Sequence, residues 1–300
     1  MCGPMPRNST ILLVLATLVG LVLYARGPVG TTETPEPEPV VTMSVQSCSD
    51  GVGPGAWLLL ACTFEIPEGW HIYWKNPGES GAATSIRVQA PPGFVVKPVV
   101  FPRPQVFPGS AGVTYGYEKK VTLLVPIYPP PAGLPGGEGD ESRAIPLTVS
   151  ADWLVCREKC FIGQAKESIE VRWHDQMQPL LPWARKMLAE PQWPRPLAER
   201  PQTTSRIEGS LLVIEGPRTR SGEMGFLPDP TPGVDMGTPR SRIEDGRFRM
   251  EVPFTFRPQD TLGQAPLARG LLIFGEKATM PAYDVSVPVT SNGTTPGRGS

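Results

Sequence analysis

Short runs of β-branched and aromatic residues, broken by glycine and proline, dominate the chain over residues 40–174. The runs are VVTMSVQS, WLLLACTFEI, WHIYWK, TSIRVQA, FVVKPVVF, KVTLLVPIY, IPLTVSADWLV and ESIEVRW. Turn-forming segments such as NPGESG and APPG separate them. This alternation of short strands and turns is typical of a sandwich of antiparallel β-strands.

A second set of strand-like runs follows and predicts a smaller β domain over residues 205–290. Its runs are SRIEGSLLVIEG, RFRMEVPFTF, RGLLIFG and AYDVSVPV. Between the two domains, residues 175–204 predict a helix of about two turns after Leu181, followed by a proline-rich linker. Residues 291–300 predict a flexible polar tail.

Composition supports a folded β protein and excludes two other classes. The 300 residues include 38 prolines and 32 glycines, which a mainly helical protein would not tolerate. A hydrophobic content of 40% argues against a disordered chain. With a net charge of −1 and a pI near 6.2, the chain has no basic footprint for nucleic acid, so we expect no nucleic-acid partner.

The amino terminus predicts export, because residues 1–30 contain a long apolar segment and read as a signal peptide or a membrane anchor. Cleavage after Ala25 would place Leu23 where signal peptidase prefers a small residue, which favours an uncleaved anchor over residues 8–25. Residues 31–39 (TTETPEPEP) predict an extended tether. We therefore expect a periplasmic or other extracytoplasmic protein anchored to the inner membrane.

Two cysteines lie in a predicted turn between two strands, in the motif CREKC. Outside the cytoplasm Cys156 and Cys160 can oxidise, and a turn of this length brings two sulfurs within bonding reach. Arg157 and Lys159 favour the nucleophilic thiolate, and Glu158 partly offsets them. The residues alone leave three interpretations open: a disulfide that locks the turn, a redox-exchange pair, or part of a metal site.

The strand WHIYWK supplies the histidine of interest. Strand alternation places Ile72 on the core side and His71 and Tyr73 on the opposite, outward face. They could line a cysteine site or simply face solvent. With Cys156 and Cys160, His71 would give a copper or zinc site only three ligands, so metal handling is the weaker alternative and we predict no metal or other cofactor.

Cys48 and Cys62 flank the turn segment SDGVGPGA. They could form a structural disulfide, although a hairpin centred on this segment would put them several residues out of register. The other interpretation is two buried or free thiols.

Several motifs in this order resemble a known family. The segments GWHIYWKNPGESG, VTYGYEKKVTLLVPI and ADWLVCREKCFIGQA resemble the amino-terminal periplasmic domain of the DsbD and ScsB-like thiol:disulfide interchange proteins. The segments GEMGFLPDPTPGVD and RGLLIFGEKATMPAYDVSVPV resemble the trailing β segment of their longer amino-terminal regions. The resemblance spans most of residues 40–290.

The resemblance implies an immunoglobulin-like β-sandwich with one redox pair, Cys156 and Cys160, of which Cys160 forms the mixed disulfide with a partner. It implies that His71 and Tyr73 line the pair and that Phe107 belongs to a cap that shields it. It further implies a link to cytochrome c biogenesis. Electrons would pass between a membrane or thioredoxin-like reductase and exported disulfide-containing proteins.

Two departures from the family qualify this expectation. Ile162 stands where the family usually has a proline, two residues after the second cysteine. The sequence up to Ser300 also has no polytopic membrane segment and no thioredoxin-like motif, so we expect the reductase to be a separate protein. The alternative is a β-sandwich interaction module whose disulfide is purely structural.

Overall fold

The computed structural model describes residues 38–109, 112–131, 143–218, 224–261 and 265–289. The predicted amino-terminal anchor and the tail over residues 291–300 lie outside these ranges. Within them, no helix is long and apolar enough to span a membrane. The described residues from 39 onward pack as one compact unit.

The first half of this unit consists of β-strands. Their bounds are β1 (Thr42–Ser47), β2 (Leu58–Glu65), β3 (His71–Gly78), β4 (Ser85–Gln89), β5 (Val95–Val96), β6 (Gln105–Gly109), β7 (Gly112–Glu118), β8 (Lys120–Tyr128), β9 (Ala144–Cys156) and β10 (Cys160–Arg172). One antiparallel sheet, sheet 1, has the order β1-β2-β8-β5. Sheet 2 has the order β10-β9-β3-β7-β6. Strand β4 also pairs with β9, along the part of β9 that precedes its pairing with β3.

The two sheets bury a common core that is rich in aromatic side chains. Phe64 of sheet 1 meets Trp153 of sheet 2 edge to face, with ring centroids 5.4 Å apart. Trp70, Ile72 and Trp74 are buried in the same cluster. Such aromatic pairs stabilise a core beyond the area that they bury.

A short helix and a second group of strands follow. Their bounds are α1 (Pro182–Leu188), β11 (Arg195–Pro196), β12 (Thr204–Glu208), β13 (Leu211–Pro217), β14 (Met224–Pro228), β15 (Val234–Met236), β16 (Arg240–Glu244), β17 (Arg247–Phe256), β18 (Leu267–Phe274) and β19 (Ala282–Pro288). Sheet 3 has the order β11-β19-β18-β14, and sheet 4 has the order β12-β13-β17-β15 with β16 also on β17. Phe248 and Phe274 meet edge to face in their core.

The architecture confirms the prediction of an all-β protein built from antiparallel sheets, as expected for an immunoglobulin-like sandwich. Nearly every pairing between strands is antiparallel, and the short contact of β11 with β19 is parallel. The β9–β10 hairpin sets up the site. It pairs residue by residue from Ala144 opposite Arg172 to Cys156 opposite Cys160.

Candidate redox site

The two cysteines of CREKC form a disulfide at the tip of the β9–β10 hairpin. Cys156 and Cys160 face each other across the ladder with their Cα atoms 4.2 Å apart. The backbone N–H of Arg157 donates to the carbonyl oxygen of Lys159 and closes the turn between them. Cys156 is only 2% exposed, whereas Cys160 is exposed. An incoming group can therefore reach one sulfur of the pair more easily than the other.

His71 lies beside the buried cysteine. It is the residue opposite Cys156 in the β3–β9 ladder, a position in which two side chains share one face of the sheet. Its ring stacks on Phe107, with centroids 4.9 Å apart, and meets Tyr73 edge to face at 5.1 Å. The structure thus brings together His71, Tyr73, Phe107 and the disulfide on the outer face of sheet 2.

Phe107 reaches His71 across an intervening strand. It belongs to β6, whereas His71 belongs to β3, and β7 runs between them. Opposite Tyr73, β7 carries Gly116, which has no side chain to obstruct the crossing. The edge hairpin β6–β7 can therefore fold an aromatic ring over the histidine.

Tyr73 lies on the outer face of sheet 2 but is covered, so it does not face solvent. Alternation does place it on the outer face with His71, but it is only 4% exposed. The backbone of Gly81, at φ 98°, lies against its ring, and a Cβ there would be 2.3 Å from Tyr73 Cζ. A segment outside the strand therefore covers a position that alternation alone would leave open.

The groups around Cys156 favour their neutral forms. Burial lowers the pKa of His71 below its ordinary value of 6.5, and the carboxylate of Glu118, opposite it on β7, offsets part of this effect. Burial also raises the pKa of Tyr73. Nε2 of His71 is buried and has no hydrogen-bond partner among the described residues. A neutral imidazole with an unused nitrogen therefore lies beside the less accessible sulfur.

Part of the chain matches a known protein family. Residues 54–171 match the family described as "Thiol:disulfide interchange protein DsbD, N-terminal". This part of the chain is similar to the DsbD N-terminal family. The match includes Cys156, Cys160, His71, Tyr73 and Phe107, and it confirms the resemblance found in the sequence.

One solved structure supports the fold of this chain. The N-terminal periplasmic domain of ScsB from Proteus mirabilis superposes with a TM-score of 0.54 and 16% sequence identity, covering 86% of this chain and 96% of that one. The match to the periplasmic chaperone SfaE covers 80% of this chain and 97% of that one, but its TM-score of 0.21 and identity of 12% are too low to indicate a shared fold. No curated protein matches the chain.

An aromatic cluster supports the β9–β10 hairpin from its inner face. Phe161, next to Cys160, meets Trp70 edge to face at 5.7 Å. The guanidinium of Arg157 lies over the Trp70 ring, 5.1 Å from its centre. The sequence patterns did not predict that this cluster or Glu118 would lie beside the site. Alternation along VTYGYE would have placed Glu118 on the face of His71.

Cys48 and Cys62 do not form the disulfide that the sequence allowed. Both are buried free thiols. Cys62 pairs with Val45, three residues before Cys48, so the two side chains point to opposite faces of sheet 1. Cys62 packs in the core between the sheets, whereas Cys48 packs under α1 with Ala184.

The described residues hold no group of three or more His, Cys, Asp or Glu side chains that could bind a metal ion. His71, Cys156 and Cys160 lie close together, but the two sulfurs are bonded to each other. What these residues can do chemically in this state is exchange the disulfide.

Proposed function

We propose that this chain is an extracytoplasmic thiol:disulfide exchange module and that Cys156 and Cys160 are its redox pair. The observation that carries the proposal is the asymmetry of the disulfide, with Cys160 exposed at the tip of a hairpin and Cys156 buried beside His71. The match of residues 54–171 to the DsbD N-terminal family supports the same chemistry.

The exchange proceeds by attack of a thiolate on the exposed sulfur. A reductant's thiolate attacks Sγ of Cys160, the Cys156–Cys160 bond breaks, and Cys156 leaves with the electron pair as a thiolate. The reductant's second thiol then attacks the mixed disulfide, so the reductant ends as a disulfide and both cysteines are reduced. Two electrons enter, and the reverse sequence passes them to an oxidised partner.

The groups on the outer face of sheet 2 direct this attack to Cys160. The stacked rings of His71 and Phe107 and the buried Tyr73 surround the side of the pair on which Cys156 lies. On β10, Ile162 is 80% exposed and shares the outer face with Cys160. A partner that reaches Cys160 would therefore also meet an apolar side chain.

The partners that fit this chemistry are a separate membrane or thioredoxin-like reductase and exported disulfide-containing proteins. The predicted anchor over residues 8–25 would hold the module at the outer surface of the inner membrane. Both proposals follow from the family resemblance and the apolar amino-terminal segment.

The reduction potential of the purified full chain tests the proposal. We expect equilibration with glutathione or dithiothreitol to give a potential in the range of exchanging pairs. A potential below about −300 mV, which is typical of inert structural disulfides, would contradict exchange.

Trapping tests the roles of the two sulfurs. We expect Cys156→Ser to capture partner proteins as mixed disulfides on Cys160, and Cys160→Ser to capture none because Cys156 is buried. If the double variant Cys156→Ser/Cys160→Ser keeps full function and only loses stability, the disulfide is structural and the chain is an interaction module. The β9–β10 ladder argues against that outcome, because a ring this short adds little stability to strands already paired.

A further inference from the structure

The second group of strands contacts both strands that carry the lining of the redox site. Lys75 and Asn76 lie in β3, shortly after His71 and Tyr73. Arg103 lies two residues before β6, the strand of Phe107. All three side chains bind groups of sheet 3 or of the loops beside it.

Arg103 is a buried cation that binds a cluster of carbonyl oxygens. Its guanidinium is 2% exposed and donates to the carbonyl of Phe274 at 3.0 Å, to that of Met280 at 3.2 Å and to that of Gly275. These acceptors lie at the end of β18 and in the turn that follows it. Burial of a charge is costly unless hydrogen bonds compensate it, so Arg103 ties the approach to β6 firmly to this turn.

A buried carboxylate holds the other strand. Asp229, the residue after β14, is 6% exposed and accepts a hydrogen bond from Lys75 Nζ at 2.7 Å. Next to it, the side-chain amide of Asn76 donates to the carbonyl of Pro228 at 2.8 Å. Arg269 Nη2 is 3.7 Å from the same carboxylate oxygen.

These anchors lie where the strand pairing of sheet 2 is irregular or is made on one side only. The pairing of β3 with β7 is regular at Tyr73 and resumes at Gly78, with an irregularity between them that contains Lys75 and Asn76. Strand β6 is an edge strand that pairs only with β7 among the described strands. Both strands therefore depend on contacts outside sheet 2 to fix their position.

We propose that the second group of strands is a clamp that holds Phe107 stacked on His71 and so keeps Cys156 covered. Arg103, Lys75 and Asp229 are its positioning residues, since they act through β3 and β6, the strands that carry His71 and Phe107. The proposal gives the second half of the chain a task in the exchange reaction, and in that sense rests on the proposed function. It differs from a purely structural role because loss of the clamp would expose Cys156 without unfolding either core.

Alkylation of Cys156 by iodoacetamide tests the clamp in a Cys160→Ser background. We compare Arg103→Lys, which keeps the charge but loses the planar fork, and Asp229→Asn, which removes the negative charge that pairs with Lys75. We expect each to raise the alkylation rate of Cys156 about tenfold, because every 1.4 kcal/mol lost by the closed state is a factor of ten in the open population. Arg242→Met, an exposed arginine on β16, is the matched control and should leave the rate unchanged.

Cys48 and Cys62 serve as internal reporters of global unfolding, because both are buried thiols in other parts of the first half. Peptide mapping should show faster labelling of Cys156 with no change at Cys48 or Cys62. Parallel acceleration at all three cysteines would mean that the contacts only stabilise the fold. An unchanged rate at Cys156 in both folded variants would also overturn the clamp.

The labelling experiment is independent of the proposed function. It reports the cover over Cys156 whether or not the pair exchanges with partners. A wild-type potential below about −300 mV together with faster Cys156 labelling in the variants would reject exchange and keep the clamp. An exchanging wild type with unaltered labelling in the variants would keep exchange and reject the clamp.

Discussion

His71 lies directly opposite Cys156 in the β3–β9 ladder, with its Nε2 buried and without a hydrogen-bond partner among the described residues. The carboxylate of Glu118 flanks the histidine on its other side, on β7. A buried polar atom without a partner lowers stability, and its position beside Cys156 is consistent with the proposal that His71 takes part in the exchange. When the disulfide is reduced, the Cys156 thiol becomes a hydrogen-bond partner for this nitrogen.

Replacing His71 should change how stability depends on pH. Burial lowers the folded-state pKa of His71 below 6.5, so the unfolded chain binds more protons and stability falls as the pH drops through 6.5 and below. His71→Gln should remove this part of the loss between about pH 7 and pH 5. Urea unfolding of both proteins across this range measures it.

His174→Gln is the control for that experiment, because the chain has only two histidines and this one lies far along the sequence from the site. It controls for the replacement of a histidine by glutamine away from Cys156. Equal pH dependence of His71→Gln and the wild type would contradict the burial of a neutral imidazole.

Removing the ring of Phe107 should expose His71. In Phe107→Ala the stacked contact at 4.9 Å is lost, water reaches the imidazole, and the pKa of His71 should rise toward 6.5. Loss of the stacked pair should also cost about 1 kcal/mol or more of stability. Titration of the His71 ring protons by NMR measures the shift.

Val106→Ala is the matched control, since Val106 is the neighbouring residue on β6 and its side chain points to the opposite face. It should leave the pKa of His71 in place. A His71 titration that does not respond to Phe107→Ala would show that the ring does not desolvate the histidine.

Cys48 and Cys62 should be inert in the folded protein. Both thiols are fully buried, and burial raises the pKa of each to about 12. Iodoacetamide should label them only in denaturant, with the Cys156–Cys160 disulfide intact in both states. Peptide mass mapping would detect a Cys48–Cys62 disulfide, if one forms, as the absence of labelling even after denaturation.

Local patterns were sufficient to predict one side of the site. Alternation placed Ile72 in the core and His71 on the outer face, and the turn CREKC between two strands predicted facing cysteines. These features depend on residues that are close in sequence, which is where strand periodicity and turn length are informative.

The remaining features depend on partners that are distant in sequence. Tyr73 is covered by Gly81 from outside its strand, and the opposite faces of Cys48 and Cys62 follow from the register of β1 on β2. Arg103 binds carbonyl oxygens more than 170 residues away. The sequence alone predicts that an arginine in a proline-rich segment is exposed, because no neighbouring residue indicates acceptors for a buried guanidinium.

A charge network on sheet 4 allows a prediction for the second half of the chain. Glu215 on β13 accepts from Arg206 Nη1 at 2.8 Å and from Arg249 Nη1 at 2.5 Å. These two cations lower the pKa of Glu215 from 4.5 to about 2. Its ionised form therefore stabilises the fold above about pH 4.5, and this contribution is lost as the pH falls from 4.5 to about 2.

Glu215→Gln should destabilise the protein by about 1 kcal/mol at pH 7, since it leaves two arginines without one of their carboxylates. The difference from the wild type should shrink toward pH 2, where the wild-type carboxyl is also becoming neutral. Urea unfolding at pH 7 and near pH 2.5 measures both. Glu244→Gln, whose carboxylate is 3.2 Å from Arg242 and strongly exposed, is the control and should cost only a few tenths of a kcal/mol at pH 7. A Glu215→Gln deficit that persists undiminished at low pH would mean that packing of the side chain, and not its charge, stabilises sheet 4.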